Sequence, residues 1–158
     1  MRDFRPVNES DNLAVIPSTH LAIPLMTDLV FFYGTLMSGF ERAGRASVAR
    51  ALRPLGRGRI NAALFDLGIY PAAIPATESQ VWGEVHQMLN PSDVLTTLDE
   101  FEGYNAQAPD ASLYRRVEVP VTFDDGHTDR AWVYFYNAPL GRAERIQSGD
   151  YLLHLKVR

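Results

Sequence analysis

Asn90-Pro91-Ser92-Asp93-Val94-Leu95-Thr96-Thr97-Leu98-Asp99-Glu100-Phe101-Glu102-Gly103 reads as a short helix with both ends marked. Asn90 is a good N-cap, Pro91 suits the first helical position, and Asp93 places a negative charge in the first turn. Gly103 suits the position just past the end. At about 100° per residue, Val94, Leu95, Leu98 and Phe101 share one sector, so this face packs against something. Glu100 points the opposite way and Asp99 lies at the flank. Glu102 falls inside the apolar sector. A carboxylate aimed at the core side of a last turn is expensive unless it is paired or used. The plainer alternative is an end-of-helix Glu that frays into solvent or caps a neighbouring loop.

The segments around this helix read mostly as strands. Upstream, Val81 to Leu89 alternates, with Val81, Gly83, Val85 and Gln87 on one side and Trp82, Glu84, His86 and Met88 on the other. Arg57 to Phe65 is a second strand, joined to it through a turn at Asp66–Pro71 and a stretch kept extended by Pro71 and Pro75. Leu29-Val30-Phe31-Phe32-Tyr33 is a continuous apolar and aromatic run, the pattern of a strand buried on both faces. After it, Ser38 followed three residues on by Glu41 signals a capping box, which predicts a helix from about Gly39 to Arg53, weakened by Gly44 and ended by Pro54. Downstream of the opening helix, a polar loop at 104–113 leads to a strand at Leu113–Phe123. A hairpin turn follows at Asp124-Asp125-Gly126-His127, then a returning strand at Arg130–Tyr136. The tail reads as a turn and then a short helix or strand. Five or six strands and two helices in a chain of this size predict an α+β fold, a small mixed sheet or barrel with helices packed on it.

The chain has 158 residues, enough for one real core, and 46% of them are hydrophobic. A net charge of −4 leaves no electrostatic footprint for nucleic acid or an anionic membrane. The absence of cysteine excludes disulfides, thiol nucleophiles and cysteine-ligated metals, and fits a cytoplasmic setting. No apolar run approaches the roughly 20 residues of a membrane span. The start of the chain lacks the uninterrupted apolar core of a secretory signal. Residues 1–27, with Pro17, Pro24 and a surface His20, read as an extension; residues 28–158 form the domain.

Four constellations carry possible chemistry. Tyr33-Gly34-Thr35-Leu36 follows a buried strand and precedes the expected helix, so it offers free backbone N–H groups to a carboxylate. Gly34 would let a ligand come close. The alternative there is an ordinary strand-to-helix turn; glycine spacing and a lysine for a phosphate loop are both missing. Glu102 is the second. Tyr114-Arg115-Arg116 is the third: alternation puts Tyr114 and Arg116 on one face, where a tyrosine could orient a buried carboxylate, unless the pair is simply a basic strand edge. Tyr70-Pro71-Ala72, an aromatic on a restrained loop, is the fourth. No serine lies in a G-x-S-x-G elbow, and His20, His86, His127 and His154 form no triad or metal pattern. His86 reads as a strand-surface or satisfied core residue. These absences leave carboxylate acid–base chemistry, with no metal or cofactor.

Together these stretches resemble the gamma-glutamylcyclotransferase-like family. The matching residues are F-F-Y-G-T-L at 31–36, G-I-Y-P-A at 68–72, G-E-V at 83–85, L-D-E-F-E-G at 98–103, Y-R-R-V-E-V-P-V at 114–121 and W-V-Y-F-Y at 132–136. They cover roughly residues 29 to 137. The plain Y-G-T-L form is most similar to the gamma-glutamylamine cyclotransferase branch and its bacterial relatives. The resemblance implies a mixed barrel with a pocket at its mouth. It also implies that Tyr33, Gly34, Thr35 and Leu36 bind a gamma-glutamyl group, with Tyr70 and Tyr114 beside them, and that Glu102 is the catalytic acid–base. The implied reaction, cyclisation to 5-oxoproline with release of an amine, makes the partner a small-molecule substrate and needs no cofactor. It leaves open a related enzyme for a specialised biosynthetic gamma-glutamyl intermediate, a non-catalytic binding domain of the same fold, and the oligomeric state.

Overall fold

The computed structural model describes residues 26–40 and 42–157. Nearly all of the expected extension, His20 included, and Glu41 of the expected capping box therefore lie outside the described residues. Six strands are described. β1 is Leu29–Phe32, β2 Leu52–Asp66, β3 Pro71–Met88, β4 Tyr114–Phe123, β5 Thr128–Tyr136 and β6 Glu144–Arg145. The helices are α1 (Ala43–Val48), α2 (Pro91–Glu102) and α3 (Tyr151–Lys156).

The first five strands close on themselves in the order β3-β1-β5-β4-β2, with β2 returning to β3, and β6 adds to the outer edge of β2. β1 and β5 run parallel; the remaining pairs are antiparallel. This is the mixed barrel with packed helices that the sequence leads one to expect. Its seam depends on β1, whose four residues are all buried, in keeping with their unbroken apolar run. Beside β1, Gly83 of β3 comes so close that a β-carbon there would stand 2.2 Å from the Phe32 carbonyl oxygen and 2.7 Å from the Phe31 ring.

α2 forms where its end signals put it. Val94, Leu95 and Leu98 are buried, and Gly103 adopts a left-handed conformation at φ +63°. Tyr104 then returns an N–H to the Asp99 carbonyl at 2.9 Å. Asn90 does not cap the helix with its side chain; its amide donates to Asp93 at 2.6 Å. Phe101, expected on the packed face, is 41% exposed and instead lies across Gly44 of α1.

The expected helix from Gly39 to Arg53 forms only over Ala43–Ala51 and is cut short at both ends. Gly39 sits at φ +95°, which a helix cannot continue through, and α1 with the short 3-10 turn after it ends at Ala51. Leu52, Arg53 and Pro54 are recruited into β2 opposite Met88, Gln87 and His86. Tertiary pairing thus overrides a helix-forming sequence. Pro54 is tolerated because the register shifts immediately after it. A second shift at Asn61/Ala62 accommodates Pro75, so β3 begins as early as Pro71. Alternation also fails at the end of β3: Val85, His86 and Met88 are all buried, because both faces of the strand are covered there. β5 starts two residues earlier than expected, pairing Thr128 with Thr122 across the Asp125–Gly126 turn.

The tail buries Ile146 and Tyr151 in the core and adds polar contacts to them. Asp150 caps α3 by accepting from Leu153 N–H at 3.1 Å, and Arg57 reaches Asp150 at 2.9 Å. His154 Nε2 meets Asp66 Oδ2 at 2.8 Å. Among the described residues no helix is long and apolar enough to cross a membrane.

Candidate active site

β1 delivers the chain into a cavity of about 580 Å³, counting its open mouth, walled by the end of β1, the turn after it, the start of β3, the last turn of α2 and the start of β4. Tyr33, Gly34, Thr35, Leu36, Tyr70, Glu102 and Tyr114, all singled out in the sequence, line this one space. Their roles within it are more divided than the sequence suggests.

The phenol of Tyr33 is a strut. It donates to the Tyr134 carbonyl at 2.6 Å and accepts from Ala73 N–H at 3.3 Å, joining β5 to β3. Burial, with Tyr114 and Glu102 nearby, holds it firmly protonated. Gly34 is required by packing: a β-carbon there would stand 2.7 Å from Cγ of Pro71. The segment is a β-turn, with Met37 N–H donating to the Gly34 carbonyl at 3.0 Å, rather than an entry into a helix. Within that turn the N–H groups of Thr35 and Leu36 find no acceptor among the described residues. The free donors expected at a helix start therefore come from a turn.

The turn is pinned at its far end. Ser38 donates both its N–H, at 2.6 Å, and its hydroxyl to the carboxylate of Glu84. Burial pushes Glu84 up, but the nearby His86 ring and the hydrogen bonds from Ser38 together outweigh it and hold the carboxyl below its ordinary range. His86 is fully buried, neither satisfied nor at the surface. Its Nε2 stands 3.5 Å from Glu84 Oε2, too far for a well-made hydrogen bond, and its ring lies against Phe32. Replacing Glu84 by Gln should lower stability by about 1–2 kcal/mol, since it removes the charge from two short hydrogen bonds; urea unfolding would measure it.

Glu102 is the last residue of α2. Burial in the apolar wall raises its carboxyl to about 7, moderated by the positive charge of Arg42. The helix end that carries it is braced one turn earlier. Asp99 accepts two bonds from Arg116, at 2.8 and 3.2 Å, and one from the Tyr134 hydroxyl at 2.7 Å. The Arg116 guanidinium is in turn covered by the rings of Trp132 and Tyr104, at 4.5 and 5.4 Å. Arg116 and Tyr114 share a face as expected, with Arg115 exposed on the other. Tyr114 does not bond the Glu102 carboxylate; its hydroxyl lies 3.4 Å from the Pro71 carbonyl. Its ring packs between Tyr70 and Tyr136, and burial, followed by the nearby charge of Glu102, pushes its phenol upward.

Two lining residues had no separate signal in the sequence. Arg42 lies in the stretch read as a helix; its side chain lines the cavity, and its guanidinium donates to Thr35 Oγ1 at 2.5 Å. Tyr134 is one of four aromatics among residues 132–136, and only the barrel register turns it toward Asp99. Among the described residues no cluster of three or more His, Asp or Glu could hold a metal ion.

The architecture recurs in known proteins. Escherichia coli K12 has a "Gamma-glutamylcyclotransferase family protein YtfP" that is 29% identical over 124 residues, 78% of this chain and 95% of that protein. The solution structure of the E. coli ytfP protein superposes with a TM-score of 0.56 at 30% identity, covering 78% of this chain and 96% of that one. YkqA from Bacillus subtilis superposes with a TM-score of 0.63 at 24% identity over 84% of this chain, which spans only 42% of YkqA. An AIG2-like protein from Mus musculus has the same fold, with a TM-score of 0.55 at 23% identity, covering 73% of this chain and 82% of that one. The profile of the family described as "Gamma-glutamyl cyclotransferase, AIG2-like" matches residues 30–153, from β1 to α3. The chain belongs to that family.

Proposed function

We propose that the protein is a gamma-glutamyl cyclotransferase, converting a gamma-glutamyl amine or amide to 5-oxoproline with release of the amine. The observation that carries this is Glu102, a carboxyl raised to about 7 and lining the same cavity as Thr35 and Leu36, whose backbone N–H groups have no acceptor among the described residues. The reaction needs one group that takes a proton and returns it. The substrate's α-amine attacks its own γ-carbonyl carbon, and Glu102 accepts a proton from the attacking nitrogen. The tetrahedral centre then collapses, the bond to the leaving nitrogen breaks, and Glu102 delivers the proton to that nitrogen. A carboxyl titrating near neutrality suits both halves of the cycle. The substrate's glutamyl carboxylate lies on the turn at Thr35 and Leu36, which folds the chain so that amine and carbonyl meet. Tyr70 and Tyr114 flank it, and no cofactor takes part. Membership of the family and the arrangement of the cavity support this reading.

The test is a panel of gamma-glutamyl amines and gamma-glutamyl amino acids assayed for 5-oxoproline. Release from at least one member is expected, and no release from any of them, under conditions where the protein binds them, overturns the assignment. The pH profile provides a second check. Because the attacking step needs ionised Glu102, kcat/KM should rise with pH through an inflection near 7. An inflection near the ordinary Glu value of about 4.3 would remove Glu102 from the proton-transfer role.

A further inference from the structure

We propose that Arg42 pairs with a carboxylate of the substrate, and that the cavity therefore selects for an anionic ligand. The inference rests on the cyclotransferase reading of the same cavity but reaches a residue that reading does not use. Among the described residues, Arg42 is the only cationic side chain that lines it. The other guanidiniums around the site are committed: Arg116 to Asp99, and Arg45 to the Leu36 carbonyl at 2.7 Å. Arg42 spends one donor on Thr35 Oγ1, which fixes it beside the turn, and no carboxylate among the described residues lies within ion-pair distance. Glu102 feels its charge without pairing with it. A guanidinium has five donors in a rigid fork that matches a carboxylate in two-point contact. With the free N–H groups of Thr35 and Leu36 alongside, the site is built to surround one anion, and an occupant without a carboxylate leaves all these donors unanswered.

Two carboxylates can reach Arg42: the α-carboxylate of the glutamyl group, or one carried by the leaving amine when that amine is an amino acid. Steady-state kinetics on gamma-glutamyl-ethylamine and gamma-glutamyl-alanine separate them. Arg42→Met should reduce kcat/KM about 10- to 100-fold, mostly through KM, the size expected for a charged hydrogen-bonded contact. An equal loss on both substrates assigns the glutamyl carboxylate; a loss confined to gamma-glutamyl-alanine assigns the leaving group. Arg42→Lys, which keeps the charge and loses the fork, should recover only part. Calorimetry with glutarate, and with its diamide as the uncharged control, gives a readout that does not need turnover. Wild type should prefer glutarate, and Arg42→Met should erase the preference. Unchanged KM values in Arg42→Met, or wild-type binding that fails to distinguish glutarate from its diamide, overturn the proposal. Glutarate binding that depends on Arg42 in a protein that releases no 5-oxoproline would instead overturn the cyclotransferase reading and leave the anion receptor standing.

Discussion

Glu102→Gln should abolish turnover, by about 10³-fold or more, while ligands still bind. The substitution keeps the size and hydrogen-bonding reach of the side chain and removes only its ability to exchange a proton, which is worth two to four orders of magnitude in acid–base catalysis. The same variant should reveal a cost that the wild type carries. An unfolded Glu ionises near 4.3, whereas burial holds Glu102 neutral until about 7. Below the lower value both states are protonated and the residue does not penalise folding. As pH rises through the interval the unfolded chain ionises first, so wild-type stability falls, by about 4 kcal/mol at most once pH 8 is reached. Gln has nothing to titrate. The variant should therefore gain stability relative to wild type between pH 4 and pH 8, and urea denaturation at the two ends measures that gain. A parallel fall of both proteins would show that Glu102 titrates normally. In a domain that only binds, neither turnover nor its loss would be seen, and only the stability difference would remain.

Gly83→Ala is expected to be the most damaging small substitution in the barrel. Its β-carbon would be placed 2.2 Å from the Phe32 carbonyl oxygen, and the obstacle is main chain of a buried strand, which cannot swing aside as a side chain can. Either β1 moves away from β3 or the barrel seam opens. A loss of about 3 kcal/mol follows from overpacking at its upper range, and for a chain of this size it corresponds to a fall of about 10 °C in Tm. β1 runs directly into Tyr33 and the turn, so ligand affinity should fall together with Tm. A variant as stable as wild type would mean that β1 and β3 are less tightly apposed than described. Gly34→Ala tests the neighbouring contact, where the obstacle is the edge of the Pro71 ring; that ring can shift by tenths of an ångström, so the loss should be smaller.

The parts of the site that were readable in the sequence are those fixed by local chemistry. The ends of α2 are marked by Pro91 and Gly103, and their spacing alone placed Glu102 on the buried side. β1 was visible because a strand covered on both faces has no alternation to hide it. What could not be read depends on partners far along the chain. Nothing in Leu52-Arg53-Pro54 tells that β3 will claim it as a strand, and nothing around Arg42 tells that its side chain turns inward once the expected helix is cut short. Tyr33 and Gly34 were identified as site residues, but the phenol is spent on two backbone groups and the glycine on Pro71. Both contacts cross between strands that only the barrel brings together. Motif residues can thus line a cavity chiefly because they build its walls.

The parallel seam between β1 and β5 also sets an order of events in folding. The hairpins β2–β3 and β4–β5 join neighbours in the chain and can form early. The seam cannot: the Tyr33 hydroxyl and the Tyr134 carbonyl that it brings together are 101 residues apart. Closing so long a loop gains nothing until both hairpins exist, so ring closure should be the slow, late step in refolding. The cavity is walled by residues from both sides of that seam. Recovery of ligand binding should therefore lag behind recovery of strand signal by circular dichroism, and a chain released before β5 is complete would carry Glu102 on a well-formed helix with no pocket for it to face.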